Sequence, residues 1–322
     1  MPDTLTVALA QLAPVWLDRD ATLAKVLDAT AEAADRGAAL VAFGEALVPG
    51  YPAWVDFTGG AAFNDPLQKA LYAHYVDQAV DLTADGKTAG HLNALGALCR
   101  ERGIGVYLGC IERERRGHSL FCSLVYLDQS GTVQSVHRKL RPTHEERLVW
   151  AQGDGHGLRT HRLGPFTVGG LNCWENWMPL PRAALYAQGE TLHVAVWPGS
   201  TRNTHDITPF LAKEGRSYVL SVSGLYRRDD LAPSTPHYDE VAAALPETMT
   251  DGGSCLAAPD GSWVIAPLPA EEGVWTAEID AAVVRAERQN FDPAGHYSRP
   301  DVTRLTLDRT RLSTLSIEDP EA

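Results

Sequence analysis

No stretch of the sequence reaches the roughly 18 consecutive apolar residues that a membrane-spanning helix requires. The amino terminus, "MPDTLTVALAQLAPVW", has neither the basic start nor the long apolar stretch of a secretory signal. An excess of positive charge is also missing. Lys and Arg total 28 against 41 Asp and Glu, for a formal net charge of −13. A nucleic-acid binder needs a basic surface to displace counterions. This balance therefore argues against nucleic acid and against an anionic membrane as partners. Cysteine is scarce, with five residues and no Cys-x-x-Cys pair, which excludes a zinc knuckle and a thioredoxin-type motif. A reducing, cytoplasmic location is expected. There is no Pro/Gly/Ser-rich linker, internal repeat or low-complexity segment.

What is present is ordinary globular composition, 44% hydrophobic and 21% charged over 322 residues. Apolar runs at 5–12, 38–45, 104–111, 119–128, 132–137, 166–172, 192–197, 217–223 and 253–258 read as strands. "SWVIAPL" and "GVWTAEID" read as the last strands of the regular region. Helical spacing recurs at 20–37, 88–102, 179–189 and 206–216. Alternating strands and helices predict an α/β fold. The segments 54–65, 141–160 and 198–206 are expected to be loops. One domain over 1–281 is expected, with a polar, Pro-broken tail over 282–322 that wraps a partner subunit or is partly mobile.

Three reactive side chains stand at expected strand ends, where ligand sites of α/β sheets gather. Glu45 closes "AALVAFGE", ahead of Pro49, Gly50 and Pro52. By itself it is either a capping or solvated carboxylate, or a general base at a site rim. Lys139 follows a strand in a basic run with His137, Arg138 and Arg141, and Glu145, Glu146 and Arg147 come next. That run suits a solvated face or an ion-paired network. "HEER" fails as a zinc-protease motif, because Leu148 stands where the second His belongs. Cys173, in "GGLNCWENWMPLPR", is either a small buried residue or a nucleophile whose thiol pKa is lowered by nearby helix amides. Pro179 suits the first position of the helix that follows. The other four cysteines fall in helix or apolar strand patterns and are assigned to the core. His137, His144 and His193 offer no clear pattern as a base for Cys173.

Taken together, the three segments resemble the nitrilase superfamily, and within it the nitrilase branch. "GAALVAFGEALVPGYP", the spaced "HRKL-PT--ER--W" and "GG--CWEN" carry the resemblance, with "AKEGRSYVLSVS" and "GGSCLAAPDGSW" further along. It covers about residues 5 to 280. The resemblance implies a four-layer α-β-β-α sandwich. It implies Glu45 as general base, Lys139 as cationic stabiliser, Cys173 as nucleophile and Glu146 as a second glutamate that orients the lysine. It also implies hydrolysis of an organic nitrile to acid and ammonia through thioimidate and thioester intermediates. No metal or organic cofactor is called for. An amidase or carbamoylase, or a cyanide-degrading or amide-releasing enzyme, is the alternative. Glu175 and Asn176 are expected to brace the turn. Tyr51, Trp54, Trp174, Trp177 and Trp197 are expected to line an apolar pocket or to pack in the core. Family members pair through their helices, so a homodimer or larger spiral is expected. Arg182 is expected to anchor a carboxylate or a subunit contact.

Overall fold

The computed structural model describes residues 3–82, 90–115 and 117–313. Two six-stranded sheets form its centre. The first contains β1 (Thr4–Gln11), β2 (Leu40–Phe43), β3 (Gly105–Arg113), β4 (Leu120–Leu127), β5 (Val133–Arg138) and β14 (Gly273–Asp280), in the order β14-β1-β2-β3-β4-β5. The second contains β6 (His161–Leu163), β7 (Phe166–Asn172), β8 (Leu192–Trp197), β9 (Tyr218–Ser223), β12 (Cys255–Ala257) and β13 (Trp263–Ile265), in the order β13-β12-β9-β8-β7-β6. A small ribbon pairs β10 (Leu225–Arg227) with β11 (Thr248–Asp251). The helices are α1 (Arg19–Asp35), α2 (Trp54–Phe57), α3 (Pro66–Gln78), α4 (Asn93–Arg102), α5 (Pro179–Tyr186), α6 (Thr201–Thr204), α7 (Ile207–Gly215), α8 (Tyr238–Ala244) and α9 (Ala281–Asn290).

Period-two alternation decides the layering. On β1, Val7 and Leu9 face one core, while Ala8 and Ala10 face another. The inner core joins Val7, Leu9, Leu40 and Tyr107 of the first sheet to Phe166, Val194 and Leu220 of the second. The outer face of the first sheet is covered by α1 and α4, through Val26, Ala29, Ala33, Leu95 and Cys99. Helices α5 and α7 cover the second sheet, with Leu185 against Leu171, and Ile207, Leu211 and Ala212 against Ala195 and Val219. The architecture is a four-layer α-β-β-α sandwich. Both sheets are inside and bury apolar side chains on both faces, which is why their strands read as near-continuous hydrophobic runs.

Some elements differ from the sequence expectation. The helix placed at 88–102 begins with a tight turn at Gly90, and residues 88 and 89 lie outside the described ones. The region taken as loop at 54–65 holds α2, and α3 follows. That second helix is capped by Asp65, with Pro66 at its first position, but buries only Leu71, Tyr75 and Val76. Three buried residues leave too narrow a stripe for a clear period. The tail was expected to lack a core pattern, yet it opens with α9, where Asp280 caps the helix and Ala281 and Val284 are buried. Further along, Leu307 packs on the Leu158, Leu171 and Leu185 cluster, and Arg311 pairs with Asp154 at 3.1 Å. The tail thus touches its own chain at Leu307 and Arg311, while residues 295–306 are exposed. Residues 314–322 of that expected segment lie outside the described ones.

Candidate active site

Three strand ends deliver the reactive groups. Glu45 lies in the turn after β2, Lys139 directly follows β5, and Cys173 directly follows β7. The first two leave one sheet and the third leaves the other, so the site lies between the sheets. The Glu45 N–H donates to the Trp197 carbonyl at 3.1 Å, tying the Glu45 turn to the end of β8. Gly109 on β3 makes room for that turn. A Cβ there would come within 2.1 Å of the Gly44 carbonyl oxygen and 2.7 Å of the Glu45 Cα. Gly153 does the same beside the lysine, where a Cβ would fall 2.7 Å from the Lys139 carbonyl oxygen.

Lys139 is buried, and its ammonium is saturated by carboxylates. Nζ lies 2.7 Å from Glu45 Oε1, and 3.1 and 2.8 Å from the two oxygens of Glu146. Glu146 stands in the tight turn His144–Leu148 and is fixed in its own right. The Thr143 N–H donates to Oε2 at 2.6 Å, and the Tyr51 hydroxyl donates to Oε1 at 2.9 Å. Glu45 is fully buried. Its Oε1 also accepts from the Cys122 thiol at 3.3 Å, whereas its Oε2 has no partner. Glu45 therefore has one pinned oxygen and one free oxygen.

Cys173 opens a tight turn, Cys173–Trp177, and has φ +44°. A non-glycine residue in the left-handed region is uncommon and is held there by its surroundings. Glu175 and Asn176 do the holding. Glu175 accepts from the Asn172 N–H at 2.8 Å, from the Leu140 N–H at 2.5 Å, and pairs with His137 Nε2 at 2.9 Å. Asn176 Nδ2 donates to the Leu171 and Cys173 carbonyls. Its Oδ1 meets His193 Nε2 at 2.8 Å, and His193 Nδ1 meets Glu190 at 3.0 Å. Glu175 thus joins the residue after Lys139 to the residue before Cys173. Both buried histidines serve this scaffold, and His144 is exposed.

The electrostatics follow from burial. Burial pushes the Glu45 carboxyl up; Lys139 opposes it and Glu146 adds to it, leaving a pKa of about 7. Burial works against the Lys139 charge, but Cys173, Glu45 and Glu146 outweigh it and hold the ammonium well above the ordinary lysine range. Burial also pushes the Cys173 thiol well above its ordinary value, against the pull of Lys139 and the Trp174 amide. This corrects the expectation of a lowered thiol pKa. Helix α5 starts only at Pro179, so the amides near the thiol belong to a single tight turn, too few to offset burial. Such a thiol is a proton donor in need of a base, and Glu45 is the carboxylate beside it. For Glu175, burial is outweighed by His137 and by the two backbone N–H groups, and its pKa is lowered.

The aromatic residues divide by location. Tyr51 engages Glu146 rather than open space. Trp54 packs in the core, with its ring centroid 6.5 Å from that of Trp16 and 4.8 Å from that of Tyr75, and its edge lines a pocket with Val55, Gln68, Tyr72 and Val149. Trp197 is buried in the cluster that holds Cys173. Trp174 and Trp177 are 52% and 46% exposed and lie beside each other on the surface, so neither packs in the core. Their turn projects the rings away from the buried Cys173, Glu175 and Asn176. The basic run splits by strand alternation. Arg138 pairs with Glu112 at 2.6 Å and lies over Phe121, while Lys139 turns inward. Arg182 grips Glu214 through Nε and Nη2 and donates from Nη1 to the Asn176 carbonyl. Sequence reasoning missed Cys122, since burial and an apolar strand pattern give no sign of its contact with Glu45.

A family model described as carbon-nitrogen hydrolase matches residues 6–289. The chain belongs to that carbon-nitrogen hydrolase family. Within it, the curated relatives place the chain on the nitrilase branch. It is 35% identical to "Nitrilase 2" of an unknown prokaryotic organism, over 98% of this chain and 96% of the relative. It is 37% identical to a nitrilase of Pseudomonas syringae pv. syringae (strain B728a), over 96% and 91%. It is 36% identical to an aliphatic nitrilase of Rhodococcus rhodochrous, over 94% and 79%. Among solved structures, a carbon-nitrogen hydrolase from Helicobacter pylori G27 has the same fold, with a TM-score of 0.65 at 17% identity over 92% of this chain and 96% of that one. An amidase from Nesterenkonia sp. gives 0.62 at 18% identity over 89% and 94%.

Proposed function

We propose that this chain hydrolyses an organic nitrile to the carboxylic acid and ammonia, with Cys173 as nucleophile, Glu45 as general acid and base, Lys139 as cationic stabiliser and Glu146 as the carboxylate that positions Lys139. The observation that carries this reading is the convergence of the buried Glu45, Lys139 and Cys173 from three strand ends, with the free Oε2 on Glu45. The names of the curated relatives support nitriles as the substrate class.

The steps follow from the site. Glu45 takes the Cys173 proton, and the sulfur adds to the nitrile carbon. Glu45 returns the proton to the developing imine nitrogen, giving a thioimidate, while Lys139 stabilises negative charge. Glu45 then deprotonates a water that adds to the thioimidate carbon. That proton returns to nitrogen, giving a tetrahedral adduct that bears a hydroxyl and an amine; Glu45 then moves the hydroxyl proton to the amine, ammonia leaves and a thioester remains. A second water, activated in the same way, releases the acid and restores the thiol. No redox partner is needed, and the proton count closes on Glu45 at each turn.

Two further readings belong to this proposal. The chain forms homodimers or larger spirals through α5 and α7. The exposed apolar side chains Trp174, Trp177, Met178, Leu180 and Phe210 support this, because a patch of that kind marks an interaction surface. The enzyme works in the cytoplasm, supported by five cysteines that are all free. No helix among the described residues is long and apolar enough to cross a membrane. The tail from residue 282 onward acts as an appendage to a hydrolase domain over 1–281.

Ammonia release from aliphatic, aromatic and arylacetic nitriles, with matched amides and cyanide alongside, tests the reading. Acid and ammonia in equal amounts from a nitrile are expected. Turnover of amides alone would overturn it.

A further inference from the structure

Cys122 lies on β4 and was assigned to the core, yet it is bound at both ends to the reactive cluster. Its carbonyl accepts the Lys139 N–H at 2.7 Å, which fixes the lysine backbone. Its thiol donates to Glu45 Oε1 at 3.3 Å, the same oxygen that Lys139 Nζ meets at 2.7 Å. Two donors thus converge on Oε1, and none reaches the buried Oε2. A carboxylate held by one oxygen alone can rotate about its terminal bond. A second donor on the same oxygen confines Oε1 between two neighbours and so narrows that rotation, leaving Oε2 as the atom that accepts and returns protons.

We propose that Cys122 is a positioning residue for the general base, whose thiol locks the Glu45 carboxylate with Oε2 toward the reacting atoms. The inference rests on the assignment of Glu45 as the base. A thiol is a weak donor, so it fixes the orientation without holding the carboxylate strongly in its charged form. A hydroxyl at the same place would orient it equally and stabilise the charge more. The other titratable groups that act on Glu45 are Lys139, Glu146, Cys173, Tyr51 and Tyr226. Of these, Lys139 and Tyr226 also feel Cys122 directly.

The test uses the full-length enzyme and the best nitrile of the panel. The pH profile of kcat/KM is measured for wild type, Cys122→Ser, Cys122→Ala and Glu45→Gln. The serine variant is expected to move the acid limb down and the alanine variant to move it up, each by about half a unit to one unit, the worth of one hydrogen bond. The alanine variant is also expected to lose roughly two- to tenfold in kcat at its own optimum with KM unmoved, and the serine variant to restore it. Acid limbs of both variants that coincide with wild type, or that shift together in one direction, would overturn the proposal while leaving the base assignment standing. Turnover by Glu45→Gln at the wild-type rate would overturn both.

Discussion

At the scale of single residues, the proposed chemistry turns on the free oxygen of Glu45. Its pKa of about 7 comes from burial that its lysine partner only partly offsets. A base must be unprotonated to act, so kcat/KM should fall about tenfold per unit as the pH drops below about 7, read directly from a pH–rate profile. Glu45→Gln and Lys139→Ala should each cost roughly 10²–10⁴-fold in kcat at pH 8, in steady-state ammonia assays, through loss of a base and of a preorganised charge. Cys173→Ala should abolish turnover while leaving the thermal melt close to wild type, since the turn is held by Glu175 and Asn176 rather than by sulfur. The three principal residues were legible in the sequence because each stands at an expected strand end, and because the residues around them form motifs. Cys122 and the partner of Tyr51 were not legible. The first depends on which face of β4 meets the Glu45 turn, and the second on where Glu146 turns its side chain. Neither is encoded in a local pattern.

Elements matter here chiefly through what joins them. Glu175 fastens the end of β7 to the segment after β5, and it can do so only as an acceptor at both oxygens. In Glu175→Gln one of those oxygens becomes an amide that faces a donor. The expected cost is about 1–3 kcal/mol in urea denaturation at pH 7. The pH dependence has a definite sign. The folded pKa of Glu175 lies below its ordinary 4.5. The advantage of wild type over the variant should therefore be full above about 4.5 and fade as the pH falls through the lower folded value. Gly109→Ala should push the Glu45 turn away from β3, lowering both stability and kcat, with a stability loss of about 1–3 kcal/mol from overpacking. Long, continuous strands such as β3 and β7 were readable from composition alone. The helix α3 and the short pair β10 and β11 were not, because their burial is shared among distant partners instead of being repeated along the chain.

The whole molecule presents an apolar strip where α5 and α7 meet the turn after Cys173. Phe210 lies under the Arg182 guanidinium at 5.7 Å, and Leu180 stands 67% exposed. A Leu180→Glu, Phe210→Glu double variant should sediment as a smaller species than wild type at equal concentration, in velocity ultracentrifugation. The same strip lies one turn from Cys173, through the Arg182 bond to the Asn176 carbonyl. Loss of assembly is therefore expected to lower kcat as well. The order of the strands carries a further consequence. β1 lies between β2 and β14, and β14 begins only at Gly273, about 260 residues further along the chain. A nascent chain on the ribosome thus carries Glu45, Lys139 and Cys173 long before its first sheet is complete, with one edge of β1 bare until the last strand emerges.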